Sequence, residues 1–240
     1  MLKSIFHSLE KRFPFLGRLA RFVVRGEQMD GLKKSIRGKG NSIQTNRARL
    51  VGMELDIIGD HNQIVIGDES VLYHLKIRIR GSDHCIELGR NCRIIQGGVF
   101  WIEDDHCLLQ IGQNTTMVEA NISVTEPGSK VVIGEDCMFA NDIDIRSGDS
   151  HSVIEAITGR RINFAEDVVI GNHVWIAAHT VILKGATIGE HSVVASGAVV
   201  TRSCEPGAIL AGNPAKVIKT GIDWKLNCDK GNTSRKPSLG

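Results

Sequence analysis

Through the second half of the chain an aliphatic residue recurs at every sixth position, at Ile170, Ile176, Ile182, Ile188, Val194 and Val200. The fourth residue after each is small or β-branched: Val174, Thr180, Ala186, Ser192, Ala198 and Cys204. An α-helix repeats its apolar face every 3.6 residues and a half-buried strand every two, so neither explains a beat of six. A parallel β-helix does. Each flat side of a coil points one bulky side chain at the axis, and three such sides make a coil of about eighteen residues. The small fourth residue suits the corner between sides, where a large one would meet the coil above or below.

The beat continues upstream with breaks. Ile133, Phe139 and Ile145 keep it, as do Ile111 with Met117, and Leu88 and Ile94 with Phe100. Between these stretches stand turn-like insertions: Gly59-Asp60-His61-Asn62, Gly81-Ser82-Asp83-His84, Glu103-Asp104-Asp105-His106 and Glu126-Pro127-Gly128-Ser129. Each leads into an aliphatic run, as in Ile64-Val65-Ile66-Gly67. The pattern predicts an all-β chain with one β-helical domain over residues 40–219, a head at 1–39 and a tail at 220–240. A β-sandwich would show period-two alternation instead.

Composition agrees with that fold. Of 240 residues, 42% are hydrophobic and only 5% aromatic, as suits a long narrow core of Ile, Val and Leu. The six cysteines, Cys85, Cys92, Cys107, Cys137, Cys204 and Cys228, form no CxxC pair and follow no secretory signal, so reduced thiols in a cytoplasmic protein are expected. Cys137 and Cys204 take small corner positions of the repeat, and no zinc site is suggested. No apolar stretch is long enough to span a membrane.

Charge separates the head from the rest. Residues 1–40 hold ten Lys/Arg against Glu10, Glu27 and Asp30, a net of +7 within a total of +2, which leaves −5 for the remainder. Ile5, Phe6, Leu9, Phe13, Leu16, Leu19, Phe22 and Val23 add an apolar face at roughly helical spacing. Such a basic amphipathic helix either caps the open end of the solenoid or lies on the anionic inner face of a membrane through residues 1–25. Nucleic-acid binding lacks any accompanying motif.

Chemistry is expected where the beat fails. After Ile145 the next unit would open at His151, yet residues 149–168 lose the period until it resumes at Ile170. A loop thrown out of a rigid prism is a usual place for reactive groups. Of nine histidines, His151 alone stands at the mouth of this excursion, and imidazole is suited to general-base work near neutral pH. Trp175, one position before the inward Ile176, should project outward. Asn121, in Glu119-Ala120-Asn121-Ile122-Ser123, reads from the repeat alone as a stacked internal or corner asparagine of the solenoid.

Ile170-Gly171-Asn172-His173-Val174-Trp175-Ile176, then Ile182-Leu183-Lys184-Gly185-Ala186-Thr187-Ile188-Gly189 and Ala211-Gly212-Asn213-Pro214-Ala215-Lys216, resemble the hexapeptide-repeat acyltransferases. Within that family the galactoside, maltose and surface-polysaccharide O-acetyltransferases are most similar, over about residues 110–220. The resemblance implies a left-handed β-helix working as a homotrimer, with acetyl-CoA as co-substrate and no metal required. It implies His151 as general base, Asn121 contacting that histidine and the acceptor, and Trp175 walling the acetyl pocket. It further implies Ala178, Ser196, Gly197 and Thr201 along the pantetheine arm, Gly212 and Asn213 against the adenine, and Lys219 near the nucleotide phosphates. The acceptor expected is a sugar hydroxyl of a bacterial surface polysaccharide or its precursor, acetylated in the cytoplasm, with the membrane face as the alternative set by the head.

Residues 1–60 do not match the acceptor-binding helical domain of the galactoside enzymes, so the acceptor does not carry over. N-acetylation of an amino-sugar nucleotide is the alternative among enzymes, and a non-catalytic β-helical scaffold the alternative outside them. A β-helical carbonic anhydrase would need three zinc histidines; the six-residue spacing of His173 and His179 allows stacking on one corner, with His191 twelve further on, but no histidine lies at the close four-residue spacing such a site uses.

Overall fold

A computed structural model describes residues 31–227. The basic helix expected over residues 1–25, and the end of the tail including Cys228, lie outside the described residues. Regular structure within them is all β. The strands form three sheets of eight, seven and nine, and the chain visits them in rotation. Among the described residues every strand pairs in parallel except the last, where Lys216–Lys219 runs antiparallel to Ile209–Ala211. The first strand, Leu32–Arg37, already pairs with Met53–Ile58, so the solenoid opens inside the segment assigned to the head.

The residues on the beat point inward as expected. Ile170, Ile176, Ile182, Ile188, Val194 and Val200 are all buried, and they join one continuous core with Phe139, Ile145, Met117 and Phe100. Removing each such side chain from water contributes about 1.5–3 kcal/mol. The small fourth residues Val174, Thr180, Ala186, Ser192 and Ala198 are buried too, and Thr180 Oγ1 donates to the Ala177 carbonyl at 2.6 Å, so a corner hydroxyl closes its own turn.

Register shows what the breaks in the beat do. Ile182 pairs with Val200, 18 positions on, the coil length of an uninterrupted repeat. Leu55 pairs with Ile77, Ile77 with Phe100, Phe100 with Ile122 and Ile122 with Ile145, so the N-terminal coils are 22–23 residues long. All four turn-like insertions fall at one corner, between the eight-stranded and seven-stranded sheets. Glycine is required there by close stacking: a Cβ on Gly81, at φ +136°, would stand 1.4 Å from the Asp104 carbonyl oxygen.

A buried polar column lines the inside of that corner. Asn41 Oδ1 accepts the Asn62 N–H at 3.0 Å, Asn62 Oδ1 accepts the His84 N–H at 3.0 Å, and His84 Nδ1 accepts the Cys107 N–H at 3.1 Å. The Cys107 thiol then contacts the carbonyls of Glu103 and Glu126, both at 3.2 Å. These side chains satisfy amides that the wider corner takes out of sheet pairing. Burial favours neutral imidazole and pushes the pKa of His84 down.

Candidate active site

The largest irregularity in the solenoid is a single coil. Ile145 pairs with Ile182, 37 positions on, against 18 for the coil that follows. The surplus is the loop anticipated from the lost beat, and it leaves the corner between the eight-stranded and seven-stranded sheets. Its hydrogen bonds are largely its own. Ile154 and Arg161 form an antiparallel bridge, the Ile162 N–H donates to the Val153 carbonyl at 2.9 Å, and Arg161 pairs with Glu126 at the root.

Asn163 is the hub of this loop, and sequence reasoning missed it. Its Nδ2 donates to the His151 carbonyl and to Asp149 Oδ2, both at 2.8 Å, while its Oδ1 accepts the Val153 N–H at 2.6 Å. Asp149 is tied in turn to Lys184 Nζ of the next coil at 2.5 Å. The Lys184 ammonium, with Asn163 adding to it, holds the Asp149 carboxyl below the usual carboxylate range. The backbone of His151 is thereby clamped on both sides. Its ring is exposed and makes no hydrogen bond among the described residues.

Trp175 faces outward from the nine-stranded sheet, half-buried, paired with Met138 and Val193. At the corner that follows, between the nine-stranded and eight-stranded sheets, the structure collects most of the expected cofactor residues. The Gly197 N–H donates to the Ala178 carbonyl and the Val199 N–H to the Gly212 carbonyl, each at 3.0 Å. Ser196, Gly197, Gly212 and Asn213 are exposed there, and the space beyond Gly197 is open. Lys219 shares Trp175's register column three strands on, through Val193 and Ile209, or about 14 Å away at the usual strand spacing.

Two expected residues stand apart from that group. Thr201 follows Val199–Val200 into the next corner, on the side of Lys184 and the loop root. Asn121 lies in the eight-stranded sheet, half-buried, in register with Asp144 and, one coil further, Val181. Its Oδ1 accepts the Val99 N–H at 3.1 Å, which is a stacking role, and its Nδ2 makes no hydrogen bond among the described residues. The histidine spacing needs correction. Six residues carry the chain to the next corner, so His173 and His179 do not stack. His173 instead meets His191, one coil on, with ring centroids 5.2 Å apart.

A second missed feature borders Trp175. Trp224, in the segment assigned to the tail, lies with its ring centroid 6.1 Å from that of Trp175. It stacks on His173 at 4.3 Å and 6°, and its indole N–H donates to the His173 carbonyl at 2.7 Å.

Comparison with known proteins supplies the family. Residues 167–202 match the model of bacterial transferase hexapeptide (six repeats). The polysialic acid O-acetyltransferase of Neisseria meningitidis is 38% identical over 192 residues, which is 79% of this chain and 88% of that protein. The chain belongs to the hexapeptide-repeat transferases. It is an acetyltransferase built on the family's left-handed β-helix. A solved polysialic acid O-acetyltransferase superposes with a TM-score of 0.79 at 33% identity, over 86% of this chain and 97% of that one. The polysialic acid O-acetyltransferase of Escherichia coli O1:K1 / APEC is 46% identical over 114 residues, 48% of this chain and 37% of that longer protein. Among the described residues no helix is long and apolar enough to cross a membrane.

Proposed function

We propose that this hexapeptide-repeat acetyltransferase moves acetyl from acetyl-CoA to a sugar hydroxyl of a bacterial surface polysaccharide or its precursor. The observation that carries the reading is the loop. It clamps the backbone of a histidine and leaves the ring exposed, in a chain 38% identical to a polysialic acid O-acetyltransferase. In this mechanism the free nitrogen of His151 takes the hydroxyl proton as the acceptor oxygen attacks the thioester carbonyl. The C–S bond then breaks, and the proton passes from the imidazolium to the departing thiolate. Asn121 Nδ2 is available to orient the acceptor, and a backbone N–H near the thioester holds the oxyanion. Trp175 walls the acetyl end, with Ala178, Ser196, Gly197, Gly212 and Asn213 along the cofactor and Lys219 toward its phosphates. Thr201 borders the loop side. No step calls for a metal, and a donor of this kind puts the reaction in the cytoplasm.

The layout of one chain supports a homotrimer. The His151 loop leaves one corner of the prism while Trp175 and the Ala178 group occupy another, so a second copy is needed to close a site. Val153, Ile154, Ile157, Ile162 and Phe164 of the loop and its root are apolar and exposed, as expected of side chains that another copy covers. The test is thiol release from acetyl-CoA with a panel of acceptors that includes polysialic acid and amino-sugar nucleotides. An alkali-labile ester on a glycan is the expected product. An amide on an amino sugar, or no acetylated product across the panel, would contradict the reading.

A further inference from the structure

After its last strand the chain turns back to the corner between the seven-stranded and nine-stranded sheets. There Asp223 Oδ1 stands 3.4 Å from His173 Nε2 and 3.2 Å from His191 Nδ1. The three ligand atoms lie within 4.8 Å of one another. Four N and O ligands at about 2.0–2.1 Å from a zinc ion are about 3.3 Å from each other, so two of the three edges already have tetrahedral length.

The arrangement is held from both sides. The two imidazoles sit one coil apart, each on a left-handed turn residue (φ 53° and 60°), and the His191 N–H donates to the Asn172 carbonyl at 3.0 Å. Asp223 is fixed by its neighbour: Oδ1 accepts the Trp224 N–H at 2.8 Å, and Trp224 stacks on the ring of His173. The side chains of His191 and Asp223 are 50% and 63% exposed, which gives an ion access and leaves a coordination position for water.

We propose that His173, His191 and Asp223 form a binding site for one divalent transition-metal ion per chain, of the zinc, cobalt or copper class, that fastens the C-terminal segment to the solenoid. Two imidazoles and one carboxylate suit such ions, whereas magnesium and calcium take oxygen ligands. The ion has no part in acetyl transfer, since neither His151 nor its loop contributes a ligand. Its structural effect is local. Binding replaces the 3.0 Å contact between His173 Nε2 and the Trp224 carbonyl with a bond through the metal, and it fixes the segment whose indole lies beside Trp175.

The experiment uses the full chain, free of any affinity tag and stripped with chelator, titrated with zinc chloride and cobalt chloride by calorimetry. Saturable binding of one ion per chain is expected. Asp223→Asn and His191→Asn should each weaken it at least tenfold, whereas His179→Asn, at the neighbouring corner, should not. Copper should quench tryptophan fluorescence in the wild type, and Trp224→Phe should remove much of that quenching while leaving the stoichiometry at one. Absence of saturable binding at millimolar ion, or equal affinity in the wild type, Asp223→Asn and His191→Asn, would overturn the proposal.

Discussion

Asn163→Ala isolates the loop clamp from the chemistry it serves. The substitution removes four hydrogen bonds: two from Nδ2, to the His151 carbonyl and Asp149, and two to Oδ1, from the Val153 N–H and from Arg161 Nε at 3.3 Å; the last costs little, because Arg161 keeps Glu126 and the Asn163 carbonyl as partners. A net hydrogen bond contributes about 0.5–1.5 kcal/mol, and water replaces part of it where a loop is exposed, so the low end applies. The closed loop then loses about 1.5 kcal/mol relative to open conformations, and kcat/KM should fall about tenfold if only the closed loop presents His151. Global stability should change little, because the loop opens without exposing the core. The assay is steady-state thiol release beside a thermal melt, with Lys184→Met as the partner variant in a double-mutant cycle. Non-additive losses are expected, since Lys184 and Asn163 both act on Asp149. Activity within twofold of wild type in Asn163→Ala, or a loss matched by a fall in Tm of many degrees, would refute the clamp.

Phe139→Ala should behave in the opposite way: Phe139 is fully buried and pairs with Ile176, so its removal should cost about 3–5 kcal/mol and lower Tm by about 10 °C, read by calorimetry. Acid should loosen the loop selectively. The folded-state pKa of Asp149 lies below its unfolded value, so the Lys184 tether is at full strength above the ordinary carboxylate range and is lost as pH falls through the lowered value. Hydrogen exchange of the loop amides, corrected for intrinsic rates, should accelerate in that window in the wild type and not in Lys184→Met. Burial pushes the thiols of Cys92 and Cys137 up to about 11, so both should resist alkylation at pH 8 in the native protein and react at once in denaturant.

The architecture was legible because the period of the core is printed in the sequence. One inward aliphatic per side, at Ile170 through Val200, admits few folds, and the buried fourth residues follow from the same geometry. Loop position was legible as an absence, where Ile145 has no successor at His151. What the loop does internally was not. Asn163 acts through hydrogen bonds to loop residues 10 to 14 positions back, Lys184 reaches Asp149 from the next coil, and nothing in local spacing marks an asparagine as a hub. The histidine error has a related cause: stacking follows the coil of 18, so the partner of His173 is His191 and the six-residue neighbour His179 lies a corner away. Trp224 could not be placed because the repeat ends before it, and its position depends on a chain reversal with no periodic signal. The Asn62–His84–Cys107 column escaped notice for the opposite reason, since Asn62 and His84 end segments that read as turns and Cys107 directly follows one.

The central claim is that His151 is the base for acetyl transfer. Its most direct test is the turnover of acetyl-CoA by His151→Ala with whichever acceptor supports turnover in the wild type, alongside the melt and CoA affinity of the same preparation. A positioned general base contributes about 10²–10⁴-fold, so kcat should fall by that factor while Tm and CoA affinity stay at wild-type values. A folded variant with near wild-type kcat would contradict the account.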